Sequence, residues 1–263
     1  MHMNEEKNMS FLQHLEELRW RLVRCAIAII ICATVLFIYQ EWIMDNVFLI
    51  LLDQNFFSYR FLCENFGVCI DKINVEMQST NVAGQFSYAF MTSILGGIVV
   101  ASPFIFYQLW LFIRPALKEN EYRSSKGMIF YVTILFLLGI LFGYFVVTPM
   151  TIQFFGSYQI SKGIQNIFTI DSYMSLILST IFYTGLFFLL PVFCYVFASM
   201  GIITAAVLRK YRKHAIIGVL ILSAIITPPD VISQIVVSIP IAMLYEIGIL
   251  AAARVDKKRA KEL

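Results

Sequence analysis

The sequence predicts an all-α integral membrane protein: six transmembrane helices, both termini cytoplasmic, in a curved bundle whose fifth and sixth helices are short. Three observations predict it. The 263-residue chain is 59% hydrophobic and only 14% charged, with 24 Phe, more apolar surface than a soluble domain of that size can cover. Charge-poor apolar runs recur along its length, and Lys and Arg collect in alternate connections between them. The formal net charge of +3 says little beside that distribution.

The spans are expected at Leu22–Tyr39, Phe86–Ile113, Gly127–Thr148, Ser172–Met200, Ala215–Thr227 and Val231–Ala253. The first four are long enough to cross a core of ~30 Å at 1.5 Å per residue. The fifth, at about 20 Å, is too short to cross unaided. Glu246 interrupts the sixth and leaves a similarly short apolar stretch. The tight link Thr227-Pro228-Pro229-Asp230 between them predicts a shallow helical hairpin that thins the bilayer locally. Prolines 103, 149, 191 and 240 lie in or at the ends of spans and are expected to bend or break them. The residues before the first apolar run do not resemble a cleavable signal peptide, so that span is expected to remain in the mature protein, and the two halves of the chain show no repeat.

Basic residues set the orientation. Seventeen of the twenty Lys and Arg fall in the N-terminal segment, the second-to-third link, the fourth-to-fifth link and the tail; only Arg60, Lys72 and Lys162 lie on the other side. By the positive-inside rule the rich side is cytoplasmic. Residues 1–263 then form one six-span domain with a cytoplasmic amphipathic segment (1–21), a long extracytoplasmic loop (40–85) and a basic cytoplasmic tail (254–263). The long loop carries six acidic and two basic residues and is followed, after span three, by a second external loop at about Pro149–Asp171.

Of the five cysteines, Cys25, Cys32 and Cys194 fall in spans and read as small apolar packing residues. Cys63 and Cys69 share the first external loop. An oxidising compartment permits a disulfide between them, and the sequence leaves it open because bond geometry is not in it.

Three polar segments carry information. The amphipathic start, Ser10 to Leu22, has capping-box spacing between Ser10 and Gln13. It has an apolar stripe of Leu15, Leu18 and Leu22, and a face of His14, Glu17, Arg21 and Arg24, with Glu17 and Arg21 at i,i+4. Taken alone it is an interfacial helix with a solvated charged face. In the second segment, Phe106 to Glu121, Pro115 ends the span and the aromatics fit an interfacial belt. Glu119 and Glu121 sit in an otherwise basic loop, where ion pairs with Lys118 and Arg123 would account for them. In the third, Asp230 can cap the last helix and Gln234 can hydrogen-bond across helices. Glu246, the single carboxylate in an apolar run, fits a functional site, a structural hydrogen bond or a solvated position equally.

Five stretches together resemble the TatC family, the multi-spanning receptor of the twin-arginine protein translocase. They are His14-Leu-Glu-Glu-Leu-Arg19, Tyr107-Gln-Leu-Trp-Leu-Phe-Ile-Arg-Pro-Ala-Leu117, Gly143-Tyr-Phe-Val-Val147, Thr227-Pro-Pro-Asp-Val-Ile-Ser-Gln234 and Ile239-Pro-Ile-Ala-Met-Leu-Tyr-Glu-Ile-Gly248. Their order and spacing run from about Phe11 to Gly248 and are specific together, though no single piece is.

The resemblance implies a receptor in the bacterial inner membrane that binds twin-arginine signal peptides of folded proteins for export driven by the proton-motive force. It implies no enzyme activity, no cofactor and no nucleic acid. Its implied partners are TatA-type and TatB-type single-span subunits and further copies of the chain. By matching positions, Glu17 and Glu121 are the cytoplasmic carboxylates for the paired arginines, with Arg19, Phe112 and Leu117 shaping the site. A guanidinium fork pairs with a carboxylate in a geometry that Lys cannot reproduce. Pro228, Pro229, Asp230 and Gln234 match the external hairpin and, with Glu246, would serve structure or partner contact.

Three features depart from the family's pattern. Leu189 stands where the fourth helix often carries a polar residue before its proline, so no polar contact to a partner helix is carried over there. The segment Ser79–Phe86 keeps the family's Phe without its usual Pro-Glu character. The loop cysteines are not a family hallmark.

The alternative reading is a proton-coupled small-molecule secondary transporter. It calls for midplane ionisable residues and repeat symmetry, and the sequence has neither. An intramembrane enzyme would need a catalytic set, and His2, His14 and His214 are dispersed on the cytoplasmic side.

Overall fold

The computed structural model describes residues 11–66, 76–113, 127–161, 166–227 and 231–262. The first long helix, α1 (Phe11–Ile38), merges the amphipathic start with the first span. A one-turn α2 (Gln40–Ile43) follows, then a π turn at Met44–Phe48, a 3-10 turn at Leu49–Leu52 and α3 (Phe57–Phe66). Strand β1 (Glu76–Gln78) leads into α4 (Gly84–Ile113). Next come α5 (Met128–Phe142), a π turn at Gly143–Val147 and α6 (Thr148–Ser157). Strand β2 (Ile167–Thr169) precedes α7 (Ile170–Phe187) and α8 (Leu190–Ser199). The chain closes with α9 (Ala205–Lys210), α10 (Arg212–Ile226) and α11 (Val231–Glu262).

Among the described residues five helical runs are long and apolar enough to cross a membrane: Gln13–Ile38, Gly84–Ile113, Met128–Ser157, Ile170–Ser199 and Gln234–Ala260. Between 6% and 39% of each apolar window is buried within the chain, so most of that surface needs lipid as its solvent. Helix α10 has 15 residues, about 22 Å, and is short as expected. The long elements pack pairwise: α1 along α4, α5 against α7, and α11 against α8 and α10.

The last helix is not short. Helix α11 runs for 32 residues through Pro240, Glu246 and the basic tail. Glu246 does not end the apolar stretch because Arg212, at the start of α10, forks onto it: Nε to Oε1 at 2.7 Å and Nη2 to Oε2 at 2.8 Å. The tail stays helical because its charges cap the connection between α8 and α9. Asp256 Oδ2 accepts from the Ala205 N–H at 2.8 Å, and Arg259 Nη2 donates to the Ser199 carbonyl at 2.8 Å. That connection needs Gly201, whose φ of 77° closes the end of α8. There the Ile202 N–H reaches back to the Phe197 carbonyl at 3.0 Å.

The connections before α4 and before α7 are also built rather than looped, and the chain is not strictly all-α. β1 and β2 pair in parallel, Met77 opposite Phe168. The third span continues past Pro149, whose missing N–H frees the Phe145 carbonyl four residues earlier, and Ser58 Oγ donates to that carbonyl. Phe48, Leu51, Phe56 and Tyr59 of the first connection are buried against Ile152, Tyr173, Met174 and Ile177. The π and 3-10 turns leave carbonyls without regular helix partners, and tyrosines supply them. Tyr173 Oη donates to the Phe48 carbonyl at 2.6 Å, Tyr144 Oη to Val47 at 2.7 Å, and Tyr59 Oη to Leu51 at 3.0 Å. Burial holds the Tyr59 phenol well above the usual tyrosine range, so it stays a donor.

Cys63, on α3, is disulfide-bonded, while Cys25, Cys32 and Cys194 are free. Cys69, the partner expected from sequence, lies outside the described residues. A membrane-impermeant thiol reagent applied from outside is expected to label the chain only after reduction. Ready labelling without reductant would show a free external thiol.

Candidate functional site

Helical spacing puts His14, Glu17 and Arg21 on one face of α1, at i, i+3 and i+7. Their surroundings come from α4. The His14 ring stacks on Phe112, centroids 4.3 Å apart and planes 12° from parallel. This contact joins the amphipathic start to the end of the second span, two segments that the sequence could only set side by side as candidates.

Glu17 sits in the shelter of that contact, its side chain 26% exposed and that of Arg21 15%. Arg21 Nε donates to Glu17 Oε1 at 3.1 Å, and Arg21 Nη2 donates to the same oxygen. Glu17 Oε2 is buried and, among the described residues, has no hydrogen-bond partner. His14 Nδ1 lies 3.9 Å from it, too far for a hydrogen bond. A buried carboxylate oxygen without a donor is costly. Chemically, it is an open acceptor for a cationic N–H group.

The other expected site residues divide. Arg19 points to the opposite face: it is two-thirds exposed, 3.5 Å from Glu16 and 5.6 Å from the Trp20 ring centroid. Residues two apart on a helix are about 200° apart, so Arg19 does not join Glu17. Leu117, Glu121, Pro228, Pro229 and Asp230 lie outside the described residues. Gln234 Nε2 donates to the Leu220 carbonyl at 3.0 Å and ties α11 to α10. Glu246 is engaged by Arg212, half-exposed, beside a cavity of about 300 Å³ with walls that include Ala215, Ile216, Ile239 and Met243. Leu189 turns into the chain's own core, buried with Val132 and Phe136.

The sequence puts His14 and Arg21 on the polar face without a role and gives Gln108 none. That residue is 5% exposed and its Oε1 has no partner among the described residues. The signal was available in its spacing, one turn before Phe112 on the same face of α4. Among the described residues no three His, Cys, Asp or Glu side chains gather as metal ligands.

Residues 13–240 match the family described as Sec-independent protein translocase protein (TatC). The chain is 38% identical to the Sec-independent protein translocase protein TatC of Blattabacterium sp. subsp. Periplaneta americana, over 97% of this chain and 99% of the relative. It is 34% identical to the protein of the same name from Carboxydothermus hydrogenoformans, over 97% of each. Among solved structures it superposes on a crystal structure of the twin arginine translocase receptor TatC with a TM-score of 0.70 at 31% identity. That match covers 92% of this chain and 99% of the other. A second crystal structure of that receptor, in DDM, gives 0.72 at 29% identity over 91% and 99%.

Proposed function

The chain belongs to the TatC family, and from that premise we propose that it binds twin-arginine signal peptides of folded proteins through Glu17 and Glu121. As a TatC protein it is a membrane component of a protein translocase and not an enzyme, which displaces the transporter alternative. The observation that carries the reading is the open Oε2 of Glu17, buried beside the His14–Phe112 stack with no donor of its own. A guanidinium supplies what that oxygen lacks, with a charge-assisted bond in a partly dehydrated place. Phe112 and Leu117 give the apolar residues flanking the arginines a surface, and Glu121 receives the second arginine. Arg19 faces elsewhere and acts at most through the surrounding field.

The wider reading has six membrane helices with both termini in the cytoplasm of a bacterial inner membrane. It has TatA-type and TatB-type single-span subunits and further copies of the chain as partners, and proton-motive force as the drive. The Pro228-Pro229-Asp230 turn and Gln234 hold the external hairpin, Glu246 braces α10 through Arg212, and Cys63 pairs with Cys69 in the external cap.

Two measurements test this. Photo-crosslinking in membranes should capture a twin-arginine signal peptide at residues next to Glu17 and capture its twin-lysine counterpart weakly; equal capture removes the reading. A reporter active only outside the cytoplasm should work when fused after Asn74 or Ser161 and fail after Asn120 or Lys210. Activity at Asn120 would reverse the orientation.

A further inference from the structure

Arg21 already occupies the carboxylate assigned above to cargo. Its Nε and Nη2 both fall on Glu17 Oε1, so the resident guanidinium uses one oxygen and leaves the other open. The pair is enclosed, at 15% and 26% exposure, whereas Arg19 and Glu16 on the far face are 67% and 64% exposed. An incoming cation therefore meets a carboxylate whose charge is largely compensated. Two guanidinium groups on one carboxylate in a partly dehydrated seam would repel each other. Cargo has to displace Arg21 rather than join it.

Helix α4 offers the displaced group an acceptor. Helices α1 and α4 pack side by side in opposite directions. Phe37 meets Phe86 at one end, Gly97 lies against Ile29 and Ala33 midway, and His14 stacks on Phe112 at the other end. One helical turn inward from that stack brings Leu18 on α1 level with Gln108 on α4. The Gln108 side chain is buried, and among the described residues its Oε1 accepts from nothing.

We propose that Arg21 is a specificity-determining residue: an intramolecular stand-in for a cargo arginine, holding Glu17 between cargoes and passing its donors to Gln108 Oε1 when a cargo guanidinium takes the carboxylate. The proposal rests on the assignment of Glu17 as a receiver of cargo arginine. Its consequence is a threshold. A cargo cation must outcompete a guanidinium already forked onto the site, which another guanidinium can do and a single-point ammonium does poorly. Arg21 thus sets how strongly arginine is preferred to lysine, beyond the geometry of Glu17 alone.

The test measures binding of fluorescent twin-arginine and twin-lysine signal peptides to the full chain in lipid nanodiscs, for Arg21→Met, Arg21→Gln, Glu17→Ala, Gln108→Leu and the Arg21→Met, Glu17→Ala double variant. Both Arg21 variants should bind the twin-arginine peptide on the order of 3- to 10-fold tighter. They should gain more for the twin-lysine peptide, so that discrimination narrows. The double variant should bind like Glu17→Ala, and Gln108→Leu a few-fold more weakly than wild type. Folded Arg21 variants that bind equally or more weakly overturn the proposal, and unaltered binding by Gln108→Leu removes the transfer to that residue. If Glu17→Ala binds like wild type, the carboxylate assignment itself fails, whatever Arg21 does.

Discussion

Glu17→Ala is expected to weaken binding of a twin-arginine signal peptide roughly 10- to 100-fold while the chain remains inserted and folded. A charge-assisted hydrogen bond in a partly dehydrated place contributes about 1.5–3 kcal/mol, and ~1.4 kcal/mol is a factor of ten. A solvated glutamate would be worth less than about 1 kcal/mol. Exposure decides between the two: the Glu17 side chain is three-quarters buried, and one of its oxygens has no donor. Glu121→Ala should show a loss of similar size if the second arginine is received there. Changing the peptide's arginines to lysines should mimic either variant, and should add little on top of both together. Wild-type binding by both variants, with arginine still preferred to lysine, would sink the assignment.

The parts of this site were legible in the sequence, but their meeting was not. Glu17 stood out as an acidic residue on a basic face, and Phe112 as part of a recognisable stretch. That they share one site depends on the antiparallel register of α1 and α4, fixed by Gly97 against the backbone of Ile29 and Ala33 at one level and by the His14–Phe112 stack at another. No local pattern encodes such a register. Arg19 shows the converse: adjacency in a motif suggested a shared site, and helical geometry separates the two side chains.

A similar division runs through the fold. Long apolar runs announced the spans because lipid solvation needs only composition and length. The stretch between α2 and α4 reads from sequence as a loop because its order comes from far away in the chain. Its irregular turns are completed by hydroxyl donors such as Tyr173, 125 residues from the carbonyl it caps. The last helix was read as short because charge was taken to end it. Glu246, Asp256 and Arg259 are each answered by a group from another element, and a charge with a partner need not end a helix.

Gly139→Leu is expected to cost at least about 1–3 kcal/mol of stability, the range for overpacking a filled site, and to lower signal-peptide binding along with the folded fraction. Inside a bilayer the drive for helices to associate is close packing rather than release of water, and small residues let backbones approach. Gly139 on α5 and Gly185 on α7 provide that approach. A Cβ on Gly139 would lie 2.7 Å from the Phe188 Cβ and 2.9 Å from the Gly185 Cα, with main-chain atoms that cannot step aside. A Cβ on Gly185 would instead meet the tip of the Ile140 side chain at 2.7 Å, which can swing away. The effects should therefore be graded: Gly139→Leu worst, Gly139→Ala next, Gly185→Ala mildest. Gly218 on α10 is the internal control, with nothing within 4 Å of an added Cβ. There Ala should raise stability slightly, by roughly 0.5–1 kcal/mol, because a helix interior favours Ala over Gly. Thermal unfolding of the purified chain in detergent reads all four. If Gly139→Ala unfolds at the wild-type temperature or above it, the close approach of α5 and α7 is not what holds these two spans together.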